Sequence, residues 1–434
     1  MSVSLLRGGL ALARDRVSDR DGRRCAARFD EDAVTLAAEA AQAAVDDRRP
    51  SPDALVFASA SCPYAEGGNA QLLVELLGMN ERTLVVELNA TLRDGLCALR
   101  LADGLLATGF SSVLVVASHR ARQAEPGAGD GAVAMLLAPD GGVARLTPLV
   151  AHSEELRDRW RLNGESQLRL ADPSFADSLG AARVAGELAE HALAVATRGA
   201  DRRLPRVAVC CPTPSAAARA ERALGGSGDS LVQRTGVLGA AHPLLRLLAS
   251  LDEPTAVIAA SGGLAESLLC EPDPTAAPLA ALARDAAAGG RDIDHGAVEF
   301  AARDFHPYQS APRAWRERSQ ELRLEGLRFG GKLHYPPPAA PPPGHEHETG
   351  ERVRLARSGT VLTQTRDHVY TGAELTQMVV LDLDDGARFY CQVAAGEDLA
   401  IGDRARLVPR RLHDGGNESG TGFIQYFWKA VPCQ

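Results

Sequence analysis

A proline-rich segment near residue 340 constrains the fold of this 434-residue chain more than any other feature. Three prolines occupy positions 336–338, directly after Tyr335, and three more occupy positions 341–343. Because proline lacks the backbone N–H that a helix interior or a central strand requires, this segment predicts an extended linker. The sequence before it alternates between helical and strand-like runs, whereas the sequence after it holds short strand-like runs. We therefore expect an α/β body followed by a separate all-β domain.

The first part of the chain, up to about Phe305, alternates Ala/Leu-rich helical patterns with short Val/Ile/Leu runs bounded by Gly, Asp and Pro. This alternation is typical of α/β proteins, in which helices cover a largely buried sheet. The patterns predict helices at residues 30–47, 69–77, 95–108, 215–224 and 242–250. They predict strands at residues 54–58, 83–88, 113–117, 132–137, 206–211, 256–260 and 266–270.

Two stretches of this first part are similar to each other. Each has a helix followed by two apolar runs, VLVVAS with AVAMLL within 113–137 and AVIAAS with AESLLC within 256–270. The similarity indicates an internal duplication of one βαβ-type unit, although short apolar runs also match by chance. A duplicated body predicts halves at 1–150 and 151–305, a helix and linker at 306–350, and the all-β domain at 351–434.

The pattern beyond Glu351 is all-β. Turns rich in Asp and Gly separate short strands predicted at residues 360–365, 376–382, 388–393, 405–410 and 422–430. Five short strands in about eighty residues fit a small barrel of the OB type.

Charge and composition exclude several classes of function. The 47 Lys and Arg residues against 56 Asp and Glu give a net charge of −9, which argues against nucleic acid as the main partner. The apolar runs fall far short of the roughly 20 residues that span a bilayer, and residues 1–15 lack a signal-peptide pattern. We therefore expect a cytoplasmic protein with neither a membrane nor a nucleic-acid partner. The eight cysteines show no CxxC spacing.

Seven short motifs follow one another in the first three hundred residues: FDEDA at 29–33, ELNATL at 87–92, ALRLA at 98–102, VLVVA at 113–117, GDGA at 129–132, GVLGAA at 236–241 and SGG at 261–263. In order and spacing they resemble the thiolase superfamily, specifically type III ketoacyl synthases and 3-hydroxy-3-methylglutaryl-CoA (HMG-CoA) synthases. The resemblance implies a duplicated αβαβα body of five layers, usually dimeric. It also implies that the ligand is acyl-CoA or the acyl-phosphopantetheine of a carrier protein.

The catalytic residues of this branch are replaced in the present sequence. The family uses a Cys thiolate at the N-terminus of a buried helix, together with a His and an Asn. The resemblance places the nucleophile at Leu92, the His at Cys210 and the Asn at Val237, and it places the acidic residue of HMG-CoA synthases at Ala60. A register shifted by one residue puts Thr91 at the nucleophile position, where a hydroxyl without an adjacent base is a poor nucleophile. We therefore expect no intact Cys–His–Asn set.

Three other residues are candidate substitutes. Cys62 follows a predicted strand, in the kind of loop where α/β proteins collect their sites. Cys97 lies five residues beyond Leu92 on a predicted buried helix face, where a free Cys usually serves as a small hydrophobic residue. His242 is predicted to cap a helix beside Val237, where it either acts as an acid or base or bonds to the backbone.

The C-terminal part carries motifs of its own, GKLHYPP at 331–337, SGTV at 358–361, IGD at 401–403 and Phe427. They are similar to thiolase-associated OB-fold proteins that begin with an Arg-rich helix and a zinc ribbon. That resemblance places the first ligand pair at Leu327 and Gly330, which bind no metal, and the second pair at His345 and His347. We therefore expect no bound zinc. We also expect no tightly bound cofactor, because no glycine-rich phosphate loop opens a helix after a strand.

Three functions remain open at this point. The first is a non-catalytic subunit that handles acyl-CoA or acyl carrier protein, as a homodimer or a hetero-oligomer with an active thiolase- or ketosynthase-type subunit. The second is an acyltransferase that moves an acyl group directly from a thioester to an acceptor, with a base such as His242. The third is a sensor that binds acyl-CoA. Turnover by the purified chain alone separates the second from the other two.

Overall fold

The structure is a computed structural model that describes residues 2–19, 22–45, 51–89, 91–122, 125, 127–162, 165, 167–172, 175–196, 205–224, 230–294, 311–368, 376–413 and 424–433. The predicted boundary at 305–306 and Ala90 of the ELNATL motif therefore lie outside the described residues. The chain divides into two compact units. The first comprises Met1–Ala27, Leu36–Leu73 and Met79–Phe300, and the second comprises Arg28–Thr35, Val74–Gly78 and Ala301–Gln434.

The strands that precede residue 300 are β1 (Val3–Leu12), β2 (Asp15–Asp19), β3 (Gly22–Ala26), β4 (Ala54–Ala58), β5 (Leu84–Leu88), β6 (Val113–His119), β7 (Gly131–Ala138), β8 (Ala144–Ser153), β9 (Arg159–Trp160), β10 (Arg169–Leu170), β11 (Arg206–Cys210), β12 (Thr255–Ser261), β13 (Leu264–Pro272) and β14 (Arg291–Asp292). The α-helices of the chain are α1 (Ala33–Ala44), α2 (Ala70–Leu77), α3 (Asp94–Ala107), α4 (Ala181–Ala196), α5 (Pro214–Ala223), α6 (Val232–Thr235), α7 (Ala241–Ala249), α8 (Ala277–Ala288) and α9 (Ala311–Glu321). A π-helical turn at Ala176–Gly180 precedes α4, and a 3-10 turn at Pro274–Ala276 precedes α8.

The core of the first unit is a nine-stranded mixed sheet with the order β11-β12-β13-β8-β1-β7-β6-β4-β5. In the first half, β4 runs parallel to β6, β6 antiparallel to β7, and β7 antiparallel to β1. The second half repeats this pattern, with β11 parallel to β12, β12 antiparallel to β13, and β13 antiparallel to β8. The two halves meet where Val3, Ser4 and Leu5 pair with Leu146, Arg145 and Ala144. The duplication predicted from the sequence is therefore confirmed.

The strands predicted from apolar runs are present within one or two residues of the expected ends. Strands β4 and β12 are buried along their whole length, and β6 is buried up to its last residue. Burial on both faces explains why they appear in the sequence as unbroken apolar runs. Seven further strands among the described residues of this unit were not predicted, namely β1, β2, β3, β8, β9, β10 and β14. Of these, β1 lies at the centre of the large sheet.

The second unit contains β15 (Glu325–Phe329), β16 (Lys332–His334), β17 (Glu351–Arg354), β18 (Ser358–Asp367), β19 (Thr376–Leu383), β20 (Arg388–Gln392), β21 (Arg404–His413) and β22 (Gln425–Pro432). The last five form an antiparallel sheet with the order β20-β19-β18-β21-β22. A bridge between Val393 and Ala430 brings the two edges of this sheet together. The sheet is therefore nearly closed, which is consistent with the predicted small barrel, and all five predicted strands are present.

A smaller sheet with the order β16-β15-β17 occupies the position expected for a degenerate zinc ribbon. Residues 335–350 between β16 and β17 hold neither helix nor strand, as their prolines predict. His345 packs against Gly330, and its Nδ1 lies 2.8 Å from Oε1 of Glu348. Among the described residues, no group of three His, Cys, Asp or Glu side chains could hold a metal ion. The absence of zinc stays a prediction.

The FDEDA motif places three carboxylates among basic and phenolic groups of the second unit. Asp30 Oδ2 lies 3.0 Å from Nζ of Lys429, and Glu31 Oε1 lies 3.0 Å from Nη2 of Arg410. Tyr426 donates its hydroxyl to Oδ2 of Asp32 at 2.7 Å. Burial alone raises the pKa of Asp30, but the charges of Lys429 and Arg410 and the bonds it accepts lower it below its ordinary value. The motif is thus a structural ion network.

Among the described residues, no helix combines the length and the apolar character that crossing a membrane requires.

Candidate functional site

A cleft of about 1150 Å³ opens in the first unit at the carboxyl ends of its sheet strands. Its walls come from the segments that follow β4, β5, β6, β11 and β12, together with residues 154–162, 165 and 168. The carboxyl edge of such strands is where α/β proteins place their ligand sites, because the loops there converge from several strands. The cleft is therefore the candidate site.

Leu92 lines this cleft just before the start of α3. The turn is fixed by Asp94, whose Oδ2 accepts the backbone N–H of Thr91 at 3.0 Å. Gly95 lets the helix approach the chain closely, since a Cβ there would lie 2.1 Å from the carbonyl oxygen of Ala240. A side chain at position 92 therefore faces the cleft beside a helix N-terminus, where the helix dipole would favour a thiolate.

Val237 lines the same cleft and is held by the 127–129 segment. Its backbone N–H donates to the Gly127 carbonyl at 2.9 Å, and its own carbonyl accepts the Gly129 N–H at 3.1 Å. Ala60 also lines the cleft and is exposed there. Cys210 lies on β11 and is completely buried, outside the lining. Leu92, Val237 and Cys210 all belong to the large hydrophobic cluster of the first unit, but only Leu92 and Val237 line the cleft.

The three candidate substitutes fall in different environments. Cys62 is half-buried and lines the cleft. Cys97 is also half-buried rather than fully buried as predicted, lies outside the lining, and has a pKa raised chiefly by burial. His242 does not cap its helix, because the turn already closes with bonds from Ala241 N–H to Leu238 and from His242 N–H to Gly239. His242 is completely buried and does not line the cleft.

A polar cluster in the cleft wall escaped the sequence reasoning. His119 ends β6, and its Nε2 lies 3.3 Å from Oε2 of Glu125. Arg161 donates to the other carboxylate oxygen of Glu125. His119 also packs on Gly239, where a Cβ would lie only 2.5 Å from Nδ1. The signal that could have found His119 is its place at a strand end, which the prediction set two residues too early.

Glu125 is ionised because of these neighbours. Burial raises the pKa of its carboxyl group, but the hydrogen bond and charge of His119 and the hydrogen bond from Arg161 outweigh burial. Together with the backbone N–H of Arg122, they lower the pKa of Glu125 from 4.5 to about 2. The cleft therefore holds a fixed negative charge beside an imidazole and a guanidinium.

No protein-family model matches the chain. A hydroxymethylglutaryl-CoA synthase from Pyrobaculum calidifontis is 32% identical over 147 residues, which are 31% of this chain and 41% of that protein. A hydroxymethylglutaryl-CoA synthase from Aeropyrum pernix is 33% identical over 124 residues, covering 26% of this chain and 34% of that protein.

Solved structures cover more of the chain. The HMG synthase of the curacin biosynthetic pathway aligns with a TM-score of 0.58 at 17% identity over 76% of this chain and 97% of its own. A single-residue variant of Xanthomonas campestris OleA aligns with a TM-score of 0.54 at 17% identity, covering 62% and 96%. The 3-oxoacyl-[acyl-carrier-protein] synthase III of Aquifex aeolicus aligns with a TM-score of 0.51 at 16% identity, covering 62% and 99%.

The chain has a thiolase-like fold, and about a third of it is similar in sequence to hydroxymethylglutaryl-CoA synthases. The thiolase-like fold expected from the motifs is confirmed, and the OB identity of the C-terminal barrel stays a prediction. The chain spans about two fifths of the length of the curated relatives it matches. Its cleft carries Leu92, Val237 and Ala60 where the family resemblance places polar catalytic groups.

Proposed function

We propose that this chain binds an acyl thioester in its cleft and forms no covalent acyl-enzyme. The thioester is acyl-CoA or the acyl-phosphopantetheine arm of a carrier protein. The observation that carries the proposal is Leu92, whose alkyl side chain lines the cleft just before α3, where the family resemblance places the nucleophile. An alkyl group has no lone pair with which to attack a thioester carbon, so the acyl group stays on its carrier.

The apolar environment of the family-equivalent positions supports a structural role for them. Leu92, Val237 and Cys210 are almost completely buried in one hydrophobic cluster. Burying polar groups costs free energy unless each finds a hydrogen-bond partner, and apolar replacements remove that cost. A chain that needs the fold and the cleft, but no covalent chemistry, is stabilised by these replacements.

Intact-mass measurement tests the absence of a covalent intermediate. Incubation of the full chain with acetyl-CoA or longer acyl-CoAs should leave its mass unchanged, while calorimetry should detect binding of the same thioesters. A gain of one acyl group that is removed by hydroxylamine and maps to Cys62, Cys97 or Cys210 contradicts the proposal. Failure of every acyl-CoA and acyl carrier protein to bind contradicts it as well.

We further propose that the chain is a cytoplasmic subunit that forms a homodimer, or a hetero-oligomer with a catalytically complete thiolase-type subunit. Support comes from the similarity to this superfamily and from the C-terminal barrel, a module that the family resemblance assigns to bridging subunits. Light scattering should show an oligomer for the chain alone or after coexpression with a thiolase encoded in a neighbouring reading frame. A monomer at micromolar concentration in both preparations contradicts the proposal.

The second candidate function is direct acyl transfer, and His119 with Glu125 favours it. The dyad lies in the cleft wall, and Nδ1 of His119 faces Gly239 of the lining. In this reaction an acceptor O–H or N–H gives its proton to the imidazole, and its oxygen or nitrogen attacks the thioester carbon. The C–S bond then breaks, and the leaving thiolate takes the proton back from the imidazolium. His119 replaces His242 as the base, because His242 is buried outside the lining.

Turnover by the purified chain separates the two candidates. Direct transfer predicts release of free thiol from acyl-CoA in the presence of an alcohol or amine acceptor, and its loss in His119→Gln. Cys97→Ala is the matched control, because Cys97 lies outside the cleft lining. If the parent chain and the variants bind the thioester but show no turnover, the non-catalytic function is supported. If, in addition, no thiolase-type partner associates with the chain, a sensor is supported.

A further inference from the structure

The wall of the cleft carries more positive charge than its own carboxylate neutralises. Arg122 and Arg161 both line the cleft, and Glu125 is the carboxylate near both. The guanidinium of Arg161 donates to Glu125, whereas Arg122 reaches Glu125 only through its backbone N–H at 3.2 Å. Within the described part of the chain, the guanidinium of Arg122 makes no hydrogen bond or ion pair, and Nε of Arg161 donates to no acceptor. Two cations therefore share one anion.

The direction of the pKa shift of Arg122 agrees with this excess of positive charge. Burial lowers the pKa of its guanidinium, and the nearby charge of Arg161 lowers it further. The charges of Glu125 and Cys62 raise the pKa of Arg122, but the pKa stays below its ordinary value. A guanidinium that is partly removed from water beside a second one is unfavourable in the empty protein, and a bound anion would relieve both effects.

Five other acidic residues among those described line the same cleft; Glu66 is exposed, and the other four accept bonds from groups other than Arg122. The pairs are Glu155 with Arg157, Glu165 with Arg169 and Glu154 with Arg183, and Asp158 accepts the backbone N–H of Gly262. These four are therefore poor counter-ions for Arg122. The positive charge that Glu125 leaves unbalanced lies in the wall formed by the segment after β6 and by Arg161.

This wall adjoins the part of the cleft where the acyl end of a thioester would lie. The imidazole of His119 contacts both the carboxylate of Glu125 and the backbone at Gly239. Two residues after Glu125, the carbonyl of Gly127 accepts the backbone N–H of Val237. Val237 and Leu92 mark the positions where the family acts on the acyl group. An anion held by Arg122 and Arg161 is therefore close to the acyl group, and planar guanidinium groups match the two oxygens of a carboxylate.

We propose that Arg122 and Arg161 form a carboxylate site in the cleft, so that the preferred ligand is a thioester whose acyl group ends in a carboxylate. The inference rests on the proposed function, because it requires that the cleft binds an acyl thioester. It adds the chemical class of the acyl group.

Calorimetric titration of the full chain tests this proposal with matched pairs of ligands. Malonyl-, succinyl- and glutaryl-CoA are compared with propionyl-, butyryl- and pentanoyl-CoA, which have the same carbon counts without the second carboxylate. We expect at least one carboxylated thioester to bind about tenfold or more tightly than its neutral counterpart, as a charge-assisted hydrogen bond allows. Arg122→Gln and Arg161→Gln should each remove most of this preference.

Arg157→Gln is the matched control, since it removes a guanidinium that also lines the cleft but is largely exposed and paired with Glu155. This variant should keep the preference. Arg122→Gln should also keep the melting temperature of the parent chain, which separates loss of a ligand contact from loss of the fold.

Two further sets of ligands show whether the two arginines bind the acyl carboxylate or a phosphate of CoA. They are CoA without an acyl group and the same six acyl groups on pantetheine, which has no phosphate. A preference that persists on pantetheine supports the carboxylate site. Equal weakening of CoA and of all six acyl-CoAs in Arg122→Gln shows that the site holds a phosphate and overturns the inference. Neutral and carboxylated thioesters that bind equally overturn it while the proposed function stands, and failure of every thioester to bind overturns the proposed function itself.

Discussion

The ammonium nitrogen of Lys429 lies 3.0 Å from Oδ2 of Asp30, and both side chains are more than nine-tenths buried within the second unit. The backbone N–H of Ala395 bonds to the same carboxylate oxygen at 3.1 Å. A buried charge is tolerated only when it is paired and hydrogen-bonded, so each partner depends on the other.

Replacing Lys429 should destabilise the second unit strongly. In Lys429→Met the Asp30 carboxylate loses its nearest cation, which should cost about 3–5 kcal/mol of the free energy of unfolding in urea titration. The double variant Asp30→Asn/Lys429→Met should lose less, because no unpaired carboxylate remains. Arg404→Met is the control, since Arg404 forms an exposed pair with Asp384 in the same sheet and should change stability little. Equal losses in Lys429→Met and Arg404→Met contradict the interpretation.

Acid should weaken the chain through Glu125. Its pKa in the folded protein is about 2, below the ordinary value of 4.5, so its ionised form stabilises the fold above pH 4.5. This contribution, up to roughly 3 kcal/mol, should be lost as the pH falls from 4.5 to 2. Urea titrations of the parent chain and Glu125→Gln should therefore differ at pH 6 and converge toward pH 2. A difference that does not depend on pH contradicts the ionised state of Glu125.

The close approach of α3 to Ala240 predicts opposite effects for two glycines on one helix. Gly95→Ala should destabilise the chain by about 2–3 kcal/mol, because the new methyl group would lie 2.1 Å from a backbone oxygen. Gly104→Ala, with nothing within 4 Å, should stabilise it by up to about 1 kcal/mol through helix propensity. Thermal unfolding of both variants measures the contrast. A stable Gly95→Ala variant would show that the helix stands further from the segment that carries Val237.

Restoring a thiol at the nucleophile position should not restore a condensing enzyme. In Leu92→Cys the thiol would lie beside the N-terminus of α3, but Val237 and Cys210 offer no group that supports the second thioester. We expect acylation by acyl-CoA at most, and no carbon–carbon bond formation in a product assay. Strong condensation by this single variant would show that the other two positions are assigned wrongly.

The sequence predicted the strands that are buried on both faces, because burial leaves an unbroken apolar run, as in β6 and β12. It did not predict β1, which contains Arg7, Gly8 and Gly9. Gly9 has a packing reason, since a Cβ there would lie 2.1 Å from the carbonyl oxygen of Ala40. Close packing of a helix on this strand therefore removes the side chains that would have marked it.

The residues of the cleft that the sequence suggested came from the family resemblance and, for Cys62, from its place after a predicted strand. Leu92 and Val237 line it as that resemblance implies, and Cys62 joins them. His119 and Glu125 lie close together in the sequence, but Arg161 is 36 residues beyond Glu125, and no sequence motif connects the three, so they were missed. Only the fold brings an imidazole, a carboxylate and a guanidinium together there.

The central place of β1 also determines when the sheet can form. Val3–Leu12 pairs with Gly131–Ala138 on one side and with residues 144–146 on the other, so its partners lie more than one hundred residues downstream. During synthesis both edges of this strand stay unpaired until β7 has been made, and one edge stays unpaired until residues 144–146 have followed. Loops of this length make folding slow and leave unpaired edges open to aggregation. We therefore expect chaperones to bind mainly to nascent chains that end before about residue 150.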